Sequence, residues 1–206
     1  MPVEETDRGT FIFNSKDLSM IEHIPEMIEA GIDSFKIEGR MKTALYVATV
    51  TRCYRRAIDE YLTSAEMYRN GLEWYRSEIG KCTYRQFTTG FYFGKPDENA
   101  QIYDNSTYVV ESVYLGRIDE VTGDGRIRIV QKNKFCVGDE IEVMKPQGEN
   151  ISVRVVKIES EDGVSQQSAP HACQVIYVTL DRCEGETDDG IWSRGDLLRA
   201  PANEQF

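Results

Sequence analysis

The residues best suited to chemistry lie in Asp33-Ser34-Phe35-Lys36-Ile37-Glu38-Gly39-Arg40, introduced by Glu29-Ala30-Gly31. An ammonium, a carboxylate and a guanidinium alternate at Lys36, Glu38 and Arg40. A guanidinium forks onto carboxylates and phosphates, and an ammonium adds a compact charge. The trio therefore suits an anionic small molecule or a nucleotide phosphate, and Lys36, Glu38 and Arg40 are the candidate catalytic residues. The run reads as a helix end, a turn and a short strand over Ser34–Glu38. In that strand Phe35 and Ile37 face one way, and Lys36 and Glu38 the other. Opposite charges on one face of a buried strand require pairing, so Lys36 with Glu38 also reads as an internal ion pair. Gly39 breaks the strand and sets Arg40 at its carboxyl end, where β/α barrels carry their active sites.

Elements on either side must position this run. Thr10–Phe13 reads as a buried strand. Asn14 or Ser15 can cap a helix starting near Asp17, with Pro25 opening a second short helical turn and Gly31 ending it. A long amphipathic helix is expected over about Thr43–Leu62, with Val47, Val50, Tyr54, Ala57 and Tyr61 on its apolar face. A third spans about Ala65–Ile79, with Tyr68, Leu72, Tyr75 and Ile79 on one face. Strand, helix, strand, helix is the rhythm of a parallel sheet. Two such units are too few to close a barrel, so residues 1–80 read as an incomplete β/α portion.

Residues 81–107 form an aromatic linker. Its Tyr84, Arg85, Phe87, Phe91, Tyr92 and Phe93 read either as a stacking strip for RNA bases or as an interdomain packing strip. Residues 108–206 read as all β. Strands are expected at Tyr108–Leu115, Arg126–Gln131, Glu140–Met144, Ile151–Ile158, Gln174–Leu180 and Asp196–Arg199. The alternation in the fourth flips phase at Val156, which suggests a β-bulge. About six short strands with tight turns favour a small closed barrel. A Gly-Asp-apolar theme occurs at Gly138-Asp139 and again at Gly195-Asp196-Leu197-Leu198.

The chain has 206 residues and a formal net charge of −11, from 35 acidic against 24 basic side chains. That balance opposes wrapping of nucleic acid by the whole surface but permits a local basic patch. No apolar run is long enough to span a bilayer and no secretory signal is visible, so a cytoplasmic location without membrane contact is expected. Cys53, Cys82, Cys136, Cys173 and Cys183 are odd in number and irregular in spacing. They read as reduced thiols in or near cores, and no metal ligand is assigned. The histidines, His23 and His171, stand in no recognisable protease setting, and there is no HExxH.

Several motifs carry a resemblance. Phe13-Asn14-Ser15-Lys16-Asp17-Leu18, Ala30 to Met41, Tyr46-Val47-Ala48 and Tyr54-Arg55 resemble the end of the catalytic domain of peptidase family U32. Tyr84-Arg85, Thr88-Thr89-Gly90-Phe91 and Gly94-Lys95-Pro96 continue it. Asn133-Lys134-Phe135, Val137-Gly138-Asp139 and Gly195 to Arg199 resemble the family's C-terminal barrel.

The resemblance implies the last units of a TIM-like barrel followed by a small β-barrel similar to the second domain of elongation factor Tu. In better understood members four cysteines hold an iron–sulfur cluster. They lie upstream of the Asn-Ser-Lys-Asp-Leu motif, so no cluster ligand is carried onto this chain. Where relatives often have Cys after the Asp-Leu pair, this chain has Ser19.

Met1 is thus expected to be internal to a longer parent. The family is named for protease activity, often collagenase-like, and several members resemble enzymes that hydroxylate RNA bases without molecular oxygen. The parent is expected to hydroxylate the tRNA wobble uridine with prephenate as donor. A collagenase-like peptidase and a stand-alone binding module are the alternatives.

The candidate substrate contacts are Asn14, Asp17, Tyr46, Tyr54, Arg55 and Arg85. Tyr46 and Tyr54 also read as core or rim aromatics. Arg55, with Arg52 and Arg56, also reads as a solvated helix face. The partners implied are tRNA or another RNA, a small anionic donor, and either the missing barrel half or a second copy meeting an apolar edge at Phe11, Phe13 and Phe35.

Overall fold

The computed structural model describes residues 3–6, 9–12, 14–82, 84–96, 101–102, 110–183 and 192–202. The chain divides into two units, residues 1–110 and 111–206. The first opens on an antiparallel hairpin of β1 (Val3–Thr6) and β2 (Gly9–Ile12). The stretch expected as a buried parallel strand is thus one arm of a hairpin. Only two residues separate Thr6 from Gly9, so an antiparallel neighbour is within reach, whereas a parallel one needs a long crossover. Phe13 and the side chain of Phe11 lie outside the described residues, so the apolar edge expected there is not described.

Asp17–Leu18 does not begin a helix. It pairs in parallel with Phe87–Thr88, and helical structure starts with a single 3₁₀ turn, Ile21–His23, followed by α1 (Ile24–Glu29). Pro25 occupies the first turn of α1, where a missing N–H leaves nothing unsatisfied. Gly31, at φ +78, ends it. Gly31 N–H donates to Ile28 O at 2.9 Å and Ile32 N–H to Met27 O at 3.2 Å, the Schellman pattern that a left-handed glycine permits.

Residues 32–39 adopt no regular secondary structure, so the strand expected over Ser34–Glu38 does not form. A strand needs a neighbour for its backbone groups, and no described segment pairs with this one. Strand-like alternation survives, with Phe35 and Ile37 half-buried and Lys36 and Glu38 exposed. The internal ion pair between Lys36 and Glu38 is also corrected: both side chains face solvent, where charge needs no partner.

Helix α2 (Ala44–Thr63) starts at Thr43, whose hydroxyl accepts from Tyr46 N–H at 3.2 Å. Ser64 ends α2 and caps α3 (Ala65–Gly80), its Oγ accepting from Glu66 N–H at 3.1 Å. Cys53 and Ala57 of α2 meet Tyr68, Tyr75 and Ile79 of α3, with Met20, Ile21, Ile24 and Met27 completing the core. The buried stripe runs through Leu45, Thr49, Val50, Cys53 and Ala57. Val47, expected on that stripe, is 40% exposed.

The second unit contains β3 (Ser112–Val121), β4 (Ile127–Gln131), β5 (Glu140–Met144), β6 (Ile151–Ser160), β7 (Val175–Arg182) and β8 (Leu197–Pro201). Among the described residues they close an antiparallel ring in the order β5-β8-β3-β4-β7-β6, with β6 returning to β5. The expected bulge is present, the β6–β7 register shifting across Val156. Inward-facing Ile127 and Ile129, Ile141 and Val143, Val153 and Val155, and Ile176 and Val178 fill the ring. Cys53 and Cys82 are buried as expected, whereas Cys173 and Cys183 are exposed.

The recurring Gly-Asp theme has a structural meaning. Gly138 N–H donates to Val155 O at 2.7 Å while Val155 N–H donates to Asp139 O at 2.9 Å. Gly195 N–H donates to Ile118 O at 2.8 Å while Ile118 N–H donates to Asp196 O at 2.9 Å. Each aspartate closes its own turn: Asp139 Oδ2 accepts from Cys136 N–H at 2.7 Å, and Asp196 Oδ2 from Ser193 N–H at 2.8 Å. Both glycines have positive φ, +93 and +100. Both turns dock just before a register shift, at Val156 in β6 and Asp119 in β3. The ring reads the same when β5 exchanges with β8, β6 with β3, and β7 with β4.

Two predictions test this packing. Alanine for glycine inside a helix ordinarily stabilises by about 1 kcal/mol. A Cβ on Gly71 would lie 2.6 Å from Cζ of buried Tyr75 and 2.7 Å from Glu60 Oε2. Gly71→Ala is therefore expected to destabilise by about 1–3 kcal/mol in urea unfolding. Asp139→Ala and Asp196→Ala are each expected to cost roughly 1–2 kcal/mol in the same measurement, by opening equivalent turns.

Candidate functional site

Asp17 is the meeting point of three stretches that are distant in sequence. Its Oδ2 accepts from Arg85 N–H at 3.0 Å and lies 3.6 Å from Lys42 Nζ. On either side, Asp17 N–H donates to Gln86 O and Ser19 N–H to Thr88 O, both at 2.9 Å. Lys42 Nζ stands 4.9 Å from the centre of the Tyr46 ring. A cation just ahead of a long helix is disfavoured by the helix dipole. The Asp17 carboxylate and the face of Tyr46 compensate for it.

Tyr54, two turns along α2, accepts Met20 N–H on its hydroxyl at 2.8 Å. Tyr68 of α3 donates to Ile21 O at 2.9 Å. The backbone leaving the Asp17 segment is thus held by a tyrosine from each helix.

Gly39 seats the candidate catalytic run on the start of α2, because a Cβ there would lie 2.8 Å from Val47 Cγ2 and 3.7 Å from the Tyr46 ring. Lys36, Glu38 and Arg40 are all exposed on this run. Glu38 Oε1 accepts Arg40 N–H at 2.9 Å, which shapes the turn.

Asp17, Tyr46 and Arg85 are therefore drawn together, with Tyr54 bracing the same segment. Arg55 stands apart, exposed and forked onto Asp59 at 3.0 and 2.6 Å. The side chain of Asn14 lies outside the described residues, although its backbone pairs with Ile102. Lys42 escaped the sequence reading. Its signal was a cation next to the Thr43 N-cap, an unfavourable place unless an anion faces it.

Burial pushes the Tyr46 hydroxyl up to about 12, helped by the nearby Asp17 carboxylate. Burial likewise raises Tyr54. These hydroxyls stay protonated at neutral pH and act as hydrogen-bonding and stacking groups rather than bases. Among the described residues no three His, Cys, Asp or Glu side chains gather into a metal-binding group. The described residues offer no ligand set for an iron–sulfur cluster.

Exposed cations at Lys36 and Arg40 lie on the run seated against α2, and Lys42 stands on the Tyr46 face beside Asp17. These groups can hold an anion or a phosphate beside a flat ring.

Comparisons with known proteins bear on this arrangement. Residues 2–102 match peptidase family U32, and residues 111–191 match the peptidase family U32 C-terminal domain. The chain is 38% identical over 173 residues to tRNA hydroxylation protein P1 of Bacillus subtilis, covering 84% of this chain and 41% of that protein. It is 33% identical over 183 residues to tRNA hydroxylation protein P of Escherichia coli, covering 87% of this chain and 39% of that protein. It is 47% identical over 164 residues to an uncharacterized protease of Methanocaldococcus jannaschii, covering 70% of this chain and 39% of that protein. The chain thus spans about two fifths of the length of these curated relatives.

Two expectations follow from the geometry. A tyrosine whose folded-state value is raised binds its proton more tightly when folded. Its stabilisation is complete below the ordinary value of 10.0 and is lost as pH rises through about 12. Urea midpoints of the wild-type chain should therefore fall relative to Tyr46→Phe across that window, and parallel curves would contradict this. Asp17→Ala should speed amide exchange at Arg85, whose N–H loses its acceptor, while exchange inside the barrel is unchanged.

Proposed function

The chain belongs to peptidase family U32, and on that premise we propose that it forms the C-terminal part of an enzyme that hydroxylates the wobble uridine of tRNA. The observation that carries this reading is the 38% identity to the Bacillus subtilis tRNA hydroxylation protein P1 over 84% of this chain. The site is compatible with it. Exposed Lys36 and Arg40 offer charge to phosphates or to a dicarboxylate donor such as prephenate, and the run that bears them is seated on Tyr46 by Gly39. In this reading the cluster belongs to the part of the enzyme that precedes these residues, and the present chain orders substrate.

The test uses the full-length enzyme. A strain lacking it should lose 5-hydroxyuridine from its tRNA in nucleoside mass spectrometry, and the wild-type gene should restore it. Asp17→Ala should restore it only in part. Unchanged wobble uridine in the deletion strain would overturn the proposal. The 47% identity to the Methanocaldococcus jannaschii protease favours a second reading, peptide hydrolysis. Gelatin cleavage by the full-length protein that disappears with Lys36→Ala or Glu38→Ala would favour that reading instead.

A further inference from the structure

We propose that the segment from Tyr84 to Lys95 is a stacking platform for the unpaired bases of an RNA loop. The inference deepens the tRNA reading above and rests on it. Phe91 is 80% exposed, Tyr92 56% and Phe93 59%, three adjacent rings turned to solvent. Exposure on this scale at consecutive aromatics is unusual unless a partner covers them.

The turn that presents the rings is built rather than frayed. Tyr92 N–H donates to Thr89 O and Gly94 N–H to Phe91 O, both at 3.3 Å, and Gly90 and Gly94 take φ +58 and +129. A Cβ on Gly90 would sit 3.2 Å from Leu18, so the turn is tied to the strand next to Asp17. At one end Tyr84 and Phe87 stack at 4.5 Å with an interplanar angle of 10°. At the other, His23 meets Phe93 at 4.5 Å. Flat rings are thus held at both ends of the segment.

Charge identifies the occupant. Residues 84–96 carry Arg85 and Lys95 and not one Asp or Glu, whereas Lys81 just before them is paired with Glu78 at 2.8 Å. A second copy would bring the same local cations to the same face, which opposes self-association there. An apolar peptide would draw nothing from the cations. A chain of bases linked by phosphates uses both features, the rings for base faces and the cations for the backbone. Paired bases hide their faces, so the platform fits unpaired nucleotides, as in a loop, rather than duplex.

Fluorescence anisotropy of the full-length enzyme that contains these residues provides the test. The probes are a labelled RNA hairpin with an unpaired loop and a blunt RNA duplex of the same stem. The enzyme should prefer the hairpin. The combined variant Phe91→Ser, Tyr92→Ser, Phe93→Ser should lose about tenfold or more of hairpin affinity. Lys95→Glu should weaken binding and flatten its salt dependence. Because the rings are exposed, circular dichroism should show both variants folded.

Equal affinity for hairpin and duplex, an aromatic variant that binds like wild type, or sedimentation showing that the rings drive dimerisation would each overturn the inference. Its failure is separable from that of the activity. A full-length enzyme that hydroxylates tRNA normally with all three rings replaced removes the platform and leaves the activity. A chain that binds the hairpin through these rings, within an enzyme that leaves uridine untouched, does the reverse.

Discussion

One carboxylate organises the first unit. Asp17 accepts from the backbone of Arg85 and faces Lys42, so it fastens the segment after the hairpin, the entry to α2 and the aromatic stretch after α3. The short parallel pairing of Asp17–Leu18 with Phe87–Thr88 has two residues on each strand, too short to be stable alone. The side-chain hydrogen bond to Arg85 and the ion pair to Lys42 supply what so short a ladder lacks. The exposed rings at Phe91–Phe93 follow from that register, because their turn rests on Leu18 at Gly90.

The second unit depends on closure instead. A closed ring has no edge strands to mispair, but bending strands around so tight a circuit requires bulges and close backbone approach. Gly116 shows this: a Cβ there would lie 2.8 Å from Val130 O and 2.9 Å from Ile129 Cγ2. The two Gly-Asp turns answer the same need at related places in the ring. They convert a change of direction into four satisfied hydrogen bonds each, two across the barrel and two within the turn. Lys145 Nζ, 2.5 Å from Asp196 Oδ2, adds a counter-ion to the second. The result is a closed module whose sequence signals are short and widely spaced.

Legibility followed the range of the interactions. Pro25 and Gly31 act on their own or adjacent turns, and the helix ends they mark were readable from local chemistry. The barrel strands were readable because one face of each is buried, which imposes a period of two, and the phase flip at Val156 betrayed its bulge. The strand expected at Ser34–Glu38 depended on neighbours that its own residues could not supply, and no described segment pairs with it. The hairpin of β1 and β2 was hidden because an apolar run alone does not say which neighbour it will choose. In the candidate site the residue types were visible, but the join of Asp17 to Arg85 spans 68 positions, and nothing local encodes it. Lys42 became intelligible only once its anion was found.

The proposal open to the most direct test is that RNA is held at the segment tied down by Asp17 and at the aromatic turn beside it. The most direct measurement is photo-cross-linking of a tRNA anticodon stem-loop carrying 4-thiouridine in its loop to the full-length enzyme, followed by peptide mass spectrometry. The account predicts adducts within residues 84–95, accompanied by fewer adducts elsewhere in the chain. Adducts confined to the barrel, residues 111–206, with residues 84–95 unlabelled, would contradict it.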